Sequence, residues 1–268
     1  MASLKNEFVV VLNSSSCTNL FPNNSNTNFR IRLPHRLRLG HDWRVALGDI
    51  SFSNALYSIN KEQSISIVIQ GCDYKEIRES ESHEEDQHFV IKIEPGRFQT
   101  IDELLITINN EIKSSFVLVS KSYLPLFSLD SRGAVRIATG FVTLAEDDIR
   151  RIYVKSLSPS LRQIFGTENC GIPYIHACHT NIYCYCDIVN PRVVGNVTVP
   201  LLRQVETKIH EPYGTQVHQI FRKPLFCELS TYDIDEIEIQ LLDDTGVPPV
   251  IQFGNVILTL ILKRFYVK

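Results

Sequence analysis

Ile182-Tyr183-Cys184-Tyr185-Cys186-Asp187-Ile188-Val189 is a run of β-branched, aromatic and small apolar residues that Asn190-Pro191 halts. A period of two places Ile182, Cys184, Cys186 and Ile188 on one face, which is the pattern of a strand buried on that side. Downstream the same texture recurs four times. Val197, Val199 and Leu201 form one segment, Val217 to Phe221 another, and Ile234, Ile237, Ile239 and Leu241 a third before the turn Asp243-Asp244-Thr245-Gly246; Val256 to Phe265 is the last. Upstream, Phe8 to Leu12 precedes the polar loop Asn13-Ser14-Ser15-Ser16, and Phe29, Ile31 and Leu33 alternate with Arg30 and Arg32. Trp43, Val45 and Leu47 then run into Ile50 and Phe52. The two ends of the chain therefore predict eight strands.

Between them the texture changes. Ile65, Ile67 and Ile69 predict one strand and Phe89 to Ile93 another, separated by Glu76 to Asp86, which holds six acidic residues and one Arg. Thr100-Ile101-Asp102-Glu103 is a capping box, and Leu104, Leu105, Ile108 and Ile112 follow at helical spacing. Ser131-Arg132-Gly133 joins Phe127-Ser128-Leu129-Asp130 to Ala134-Val135-Arg136-Ile137 as a hairpin, and Ser158-Pro159 opens a short helix that Gly166 closes. The expected fold is mainly β: a single antiparallel eight-stranded jelly roll, residues 1–55 and 175–268, interrupted by an α+β insertion domain over 56–174. An immunoglobulin sandwich would show Cys, Trp and Cys in order, and Cys17 and Trp43 have no correctly spaced second Cys. No repeat of 20 to 50 residues points to a solenoid or propeller.

Composition narrows the function. The chain has 268 residues, 44% hydrophobic and 21% charged, with 12 Gly and 12 Pro, which excludes collagen-like and low-complexity classes. Lys and Arg number 27 against 30 Asp and Glu, a net charge of −3, so no global basic field favours nucleic acid or an anionic membrane. The longest apolar stretch, Val256 to Leu262, is far short of the roughly 20 residues that span a bilayer. Without a secretory signal, and with seven irregularly spaced cysteines, the chain is expected in a reducing compartment, not secreted.

Four groups of residues invite chemistry. Asp244-Thr245-Gly246 after an apolar strand suggests half of a retroviral-type aspartic protease, in which two carboxylates share a proton. Val247-Pro248-Pro249 replaces the small residues expected next, and a turn explains the tripeptide equally. Cys170, His176, Cys178, His179, Cys184 and Cys186 offer thiolate and imidazole for zinc, or a Cys–His nucleophile, but not at the usual ligand spacing. Arg30, Arg32, Arg36, Arg38 and Arg44 stand against the single Asp42, enough for weak phosphate contact, although no aromatic interleaving accompanies them. A solvated strand face or a salt-bridging subunit contact accounts for them better, and the acidic loop at 76–86 would complement them between copies. No phosphate loop, dinucleotide fingerprint or paired-carboxylate spacing occurs. The expectation is no enzyme, no catalytic residue, no metal and no cofactor.

Several segments taken together carry a resemblance: Phe8 to Leu12; Phe21-Pro22-Asn23-Asn24; Phe29 to Pro34 with Trp43 to Leu47; Glu94-Pro95-Gly96-Arg97-Phe98; Tyr183 to Pro191 with Val194-Gly195; Val199 to Arg203; and Asp243 to Gly246. The chain resembles the minor capsid, or penton, proteins of Maverick/Polinton-type elements and their adintovirus and virophage relatives. That resemblance implies a structural virion subunit, homopentameric at the icosahedral fivefold vertices, beside a double jelly-roll major capsid protein. It implies localisation in the virion capsid after assembly in the host nucleus or cytoplasm. Host attachment through the insertion would be a further role, but Arg132-Gly133-Ala134 departs from the Arg-Gly-Asp tripeptide. Because jelly rolls also serve as lectins and cupins, a binding module such as a lectin is the alternative. His176 and His179, three apart, point to opposite faces of a strand and make a poor cupin pair.

Overall fold

A computed structural model describes residues 6–70, 86–115, 126–145, 148–167, 172–177, 180–208 and 211–266. Chain contacts divide it into two compact units, Met1–Tyr57 with His179–Lys268, and Ser58–Cys178. The first unit opens with β1 (Glu7–Asn13), β2 (Asn28–Arg38) and β3 (Trp43–Ser53). The second contains β4 (Gln63–Gln70), β5 (Gln87–Ile93), α1 (Ile101–Ser115), β6 (Phe127–Leu129), β7 (Val135–Ile137), β8 (Gly140–Ala145), β9 (Asp148–Leu157) and α2 (Pro159–Phe165). The chain then returns to the first unit with β10 (Asn181–Cys186), β11 (Arg192–Val194), β12 (Val197–Val199), β13 (Leu201–Glu206), β14 (Gln216–Ile220), β15 (Cys227–Glu228), β16 (Asp233–Leu242) and β17 (Ile257–Arg264).

The first unit is an antiparallel sandwich. One sheet runs β1-β17-β3-β14 with β15 also on β3, and the other runs β13-β10-β16-β2. Counting β1, β2, β3, β10, β13, β14, β16 and β17 as first to eighth, the orders are 1-8-3-6 and 5-4-7-2. Successive strands thus change sheet at every step except from the fourth to the fifth, which pair with each other, as in a jelly roll. The ninth strand is a divided sixth: β14 pairs with Asp49 to Ser53 and β15 with Arg44 and Val45 along the same edge of β3. Between them, Arg222-Lys223-Pro224 leaves the ladder, and Pro224 has no N–H to donate. Another departure from the sequence reading lies at Val197 to Leu201, where β11 and β12 form a small hairpin and the sheet strand begins only after Pro200.

Alternation explains the core. Phe8, Val10 and Leu12 of β1 turn inward while Val9 and Val11 are 60% and 62% exposed. Trp43, Val45 and Leu47 of β3 turn inward, then Ile50 and Phe52; the skipped position is Gly48, the extra residue of a bulge opposite β17. Leu258, Leu260 and Leu262 of β17 meet Ile237, Ile239 and Leu241 of β16 in the same cluster. Each such side chain contributes about 1.5–3 kcal/mol through burial.

The second unit has a sheet ordered β5-β4-β9-β8, with the β6–β7 hairpin as predicted. Ile65, Ile67 and Ile69 share a core with Leu104, Ile108 and Ile112 of α1, and with Phe165 of α2. Thr100 Oγ1 accepts the Glu103 amide at 3.2 Å, as the predicted capping box requires, while the Glu103 carboxylate reaches back one residue further and accepts the Gln99 amide at 2.7 Å. Gly166 ends α2 at φ 66°, in the left-handed region.

Candidate functional site

The basic segment becomes half of a charge ladder. β2 and β16 pair so that Arg30 lies opposite Glu238 and Arg32 opposite Glu236. On the outward face Arg30 binds Glu238, Arg32 reaches Glu236 at 2.6 Å, and Arg36 reaches Asp235 at 3.1 Å and Asp233 at 3.5 Å. Arg44 reaches Glu228 at 3.3 Å. Arg30, Arg32, Arg36 and Arg44 therefore meet carboxylates of their own chain, as on a solvated strand face, which leaves little of their charge for the weak phosphate contact that the segment offered. Alternating Glu236 and Glu238 in β16 was the sequence sign of that partner strand. Glu76 to Glu85, the proposed complement between copies, lies outside the described residues.

Asp244-Thr245-Gly246 is a structural turn. Buried Asp243 accepts Thr245 N, Thr245 Oγ1 and Val247 N at 2.8, 2.6 and 3.1 Å, and Gly246 takes φ 75°. Asp244 Oδ2 accepts the Thr180 amide, the Thr180 hydroxyl and the Asn181 amide at 2.8, 2.7 and 2.9 Å, and Oδ1 accepts Asn181 Nδ2 at 3.0 Å. The carboxylate that a protease would need for proton sharing is committed to clipping the start of β10 onto the end of β16.

The cysteine–histidine group does not assemble among the described residues. Cys184 and Cys186 point into the sandwich core, and His176 belongs to the second unit beside Tyr174. Burial pushes the Cys184 thiol up to about 12 and Cys186 well above its ordinary range, the opposite of what a zinc thiolate or nucleophile requires. Cys170, Cys178 and His179 lie outside the described residues. No group of three His, Cys, Asp or Glu is placed to hold a metal among those described, and no described helix is long and apolar enough to cross a membrane.

One constellation escaped the sequence. Between the edge strands β13 and β14 lies a cleft of about 750 Å³ lined by Arg192, Arg203, Gln204, Glu206, Gln219 and Phe221, among others. Its polar groups come from different strands and converge only through the sheet order, so no local spacing announces them.

No protein-family model matches the sequence, and no curated protein matches it. Among solved structures, the chain is similar to the penton protein of mavirus, with 10% identity and a TM-score of 0.48 over 97% of this chain and 100% of that one. It is also similar to a chain in the cryo-EM structure of the Sputnik virophage, with 9% identity and a TM-score of 0.44 over 97% and 98% of the two chains. A penton protein thus stands among the solved structures to which this chain is similar.

Proposed function

We propose that the chain is a structural virion protein, a penton subunit that closes five copies around an icosahedral vertex and contacts a double jelly-roll major capsid protein. The observation that carries this reading is the strand order 1-8-3-6 and 5-4-7-2, with a second compact unit spliced between its third and fourth strands. A sandwich whose conspicuous polar clusters brace its own strands has the character of a building block. Asp244 clips β10, and the β2–β16 ladder is neutralised within the chain. Neither group is left as a reactive centre. On this reading the second unit is an insertion domain available for host attachment, and the protein's destination is the capsid.

Five identical subunits close only through a heterologous contact, one patch against a different patch. Light scattering on purified protein over a concentration and salt series tests this. The reading predicts a particle near five times 30.6 kDa, about 153 kDa. A monomer that instead titrates with glycans on an array would favour the lectin-type alternative.

A further inference from the structure

Two residues that line the cleft between β13 and β14 each carry a buried polar atom that the fold leaves unmet. Arg192 Nε and Gln219 Oε1 are buried and have no hydrogen-bond partner. A buried donor or acceptor without a partner costs about 1–3 kcal/mol, so each favours an incoming group of opposite character. The arginine heads are already positioned. Arg192 donates another nitrogen to Leu202 O at 3.1 Å, while Arg203 lies 3.9 Å over the Phe221 ring and donates to Lys223 O at 3.3 Å. The lining includes two guanidiniums, Arg192 and Arg203, and one carboxylate, Glu206. Burial lowers the Arg203 pKa from its ordinary value, a cost that an entering anion would offset.

Among the described residues no strand pairs with the far edge of β14 beside the cleft. β14 is terminal in its sheet. Asn54 N donates to Thr215 O, and Phe221 N donates to Gly48 O, which fixes the phase of the β3–β14 ladder. Hydrogen-bonded pairs then fall at odd positions of β14, and the backbone groups of Gln216, His218 and Ile220 face away from β3. A strand laid on that edge would turn alternate side chains into the space between the sheets, where Gln219, Arg192 and Arg203 lie.

We propose that the free edge of β14 and the cleft behind it form a docking site for an extended acidic peptide segment of another protein. The segment adds as a strand to the five-stranded sheet and directs a carboxylate toward Arg192 and Arg203. Main-chain pairing supplies attachment and the inward side chain supplies selectivity. This inference stands apart from the vertex assignment, since it requires only the sandwich and its open edge.

Fluorescence anisotropy on the full chain tests it with three labelled heptapeptides: alternating Val and Glu, alternating Val and Lys, and the Val/Glu peptide N-methylated at alternate residues. The Glu peptide should bind, the Lys peptide about tenfold or more weaker, and the N-methylated peptide not measurably. His218→Pro removes one outward amide at an edge position that tolerates proline, and should weaken binding about tenfold with the melting temperature retained. Should that variant fail to fold, the N-methylated peptide probes the same main-chain contact in the unaltered protein. Equal affinity for Glu and Lys peptides, or undiminished binding of the N-methylated one, would overturn the proposal. Free glutarate binding as tightly as the Glu peptide, or no peptide binding at all, would do so too, leaving a small-anion site or a cleft filled by water.

Discussion

Asp244 shows how much one carboxylate can do in a turn. Its two oxygens accept four hydrogen bonds from Thr180 and Asn181, more than 60 residues away in sequence. Asp244→Ala should destabilise the sandwich by about 1–3 kcal/mol, because it leaves two backbone amides at the head of β10 without their acceptor. Urea unfolding followed through the lone tryptophan, Trp43 of the same unit, measures this, and an unchanged midpoint would mean that water replaces the clip without loss. The buried thiols give a second expectation. Cys184 is raised from 9.0 to about 12, so the folded chain keeps a proton that the unfolded chain releases near pH 9. Stability is therefore unaffected by this group below about pH 9 and falls as pH rises from there toward 12. Cys184→Ala should flatten that decline, and iodoacetamide at pH 8 should leave Cys184 and Cys186 of the native protein unlabelled. Rapid labelling of both would contradict their place in the core.

Helix α1 is tied to β6 by a device that composition conceals. Asn109, buried in the middle of the helix, donates Nδ2 to Phe127 O at 2.8 Å and accepts Phe127 N at 3.2 Å, imitating a neighbouring strand. Asn109→Leu removes both partners at once and should cost about 2–4 kcal/mol, leaving a buried N–H and C=O unmatched. Hydrogen exchange at the Phe127 amide reads this directly: protection should collapse in the variant, and retained protection would refute the role. At this scale the sequence was most informative where a residue's environment repeats along its own element. Alternation revealed β1, β2, β3, β10, β16 and β17, and the skip from Leu47 to Ile50 even carried the bulge at Gly48. The two-residue β15 was illegible because it exists only as an extension along β3's edge. β9 was missed because Arg150, Arg151 and Lys155 interrupt the apolar pattern of a strand held by pairing with β4. Pro200 and Gly195 together divided what alternation joined: Gly195, at φ 61°, turns β11 into β12, and Pro200 separates β12 from β13.

At the scale of the whole chain, the first unit is a sandwich with defined faces and edges. Its charge ladder illustrates why candidate sites are harder to read than strands. Arg30, Arg32 and Arg36 near the amino end looked available until β16, some 200 residues later, placed carboxylates against them. The cleft poses the converse case, in which Arg192 and Gln219 gain meaning only when two edge strands are brought face to face. Neither outcome follows from spacing, since both depend on sheet order. At this scale the central claim is that copies of the chain close into a ring of five. Electron microscopy of the purified protein at the concentration where light scattering finds the largest discrete particle tests it most directly. Class averages viewed down the particle axis should show fivefold rotational symmetry; averages of isolated single subunits, or rings of any other order, would contradict the account.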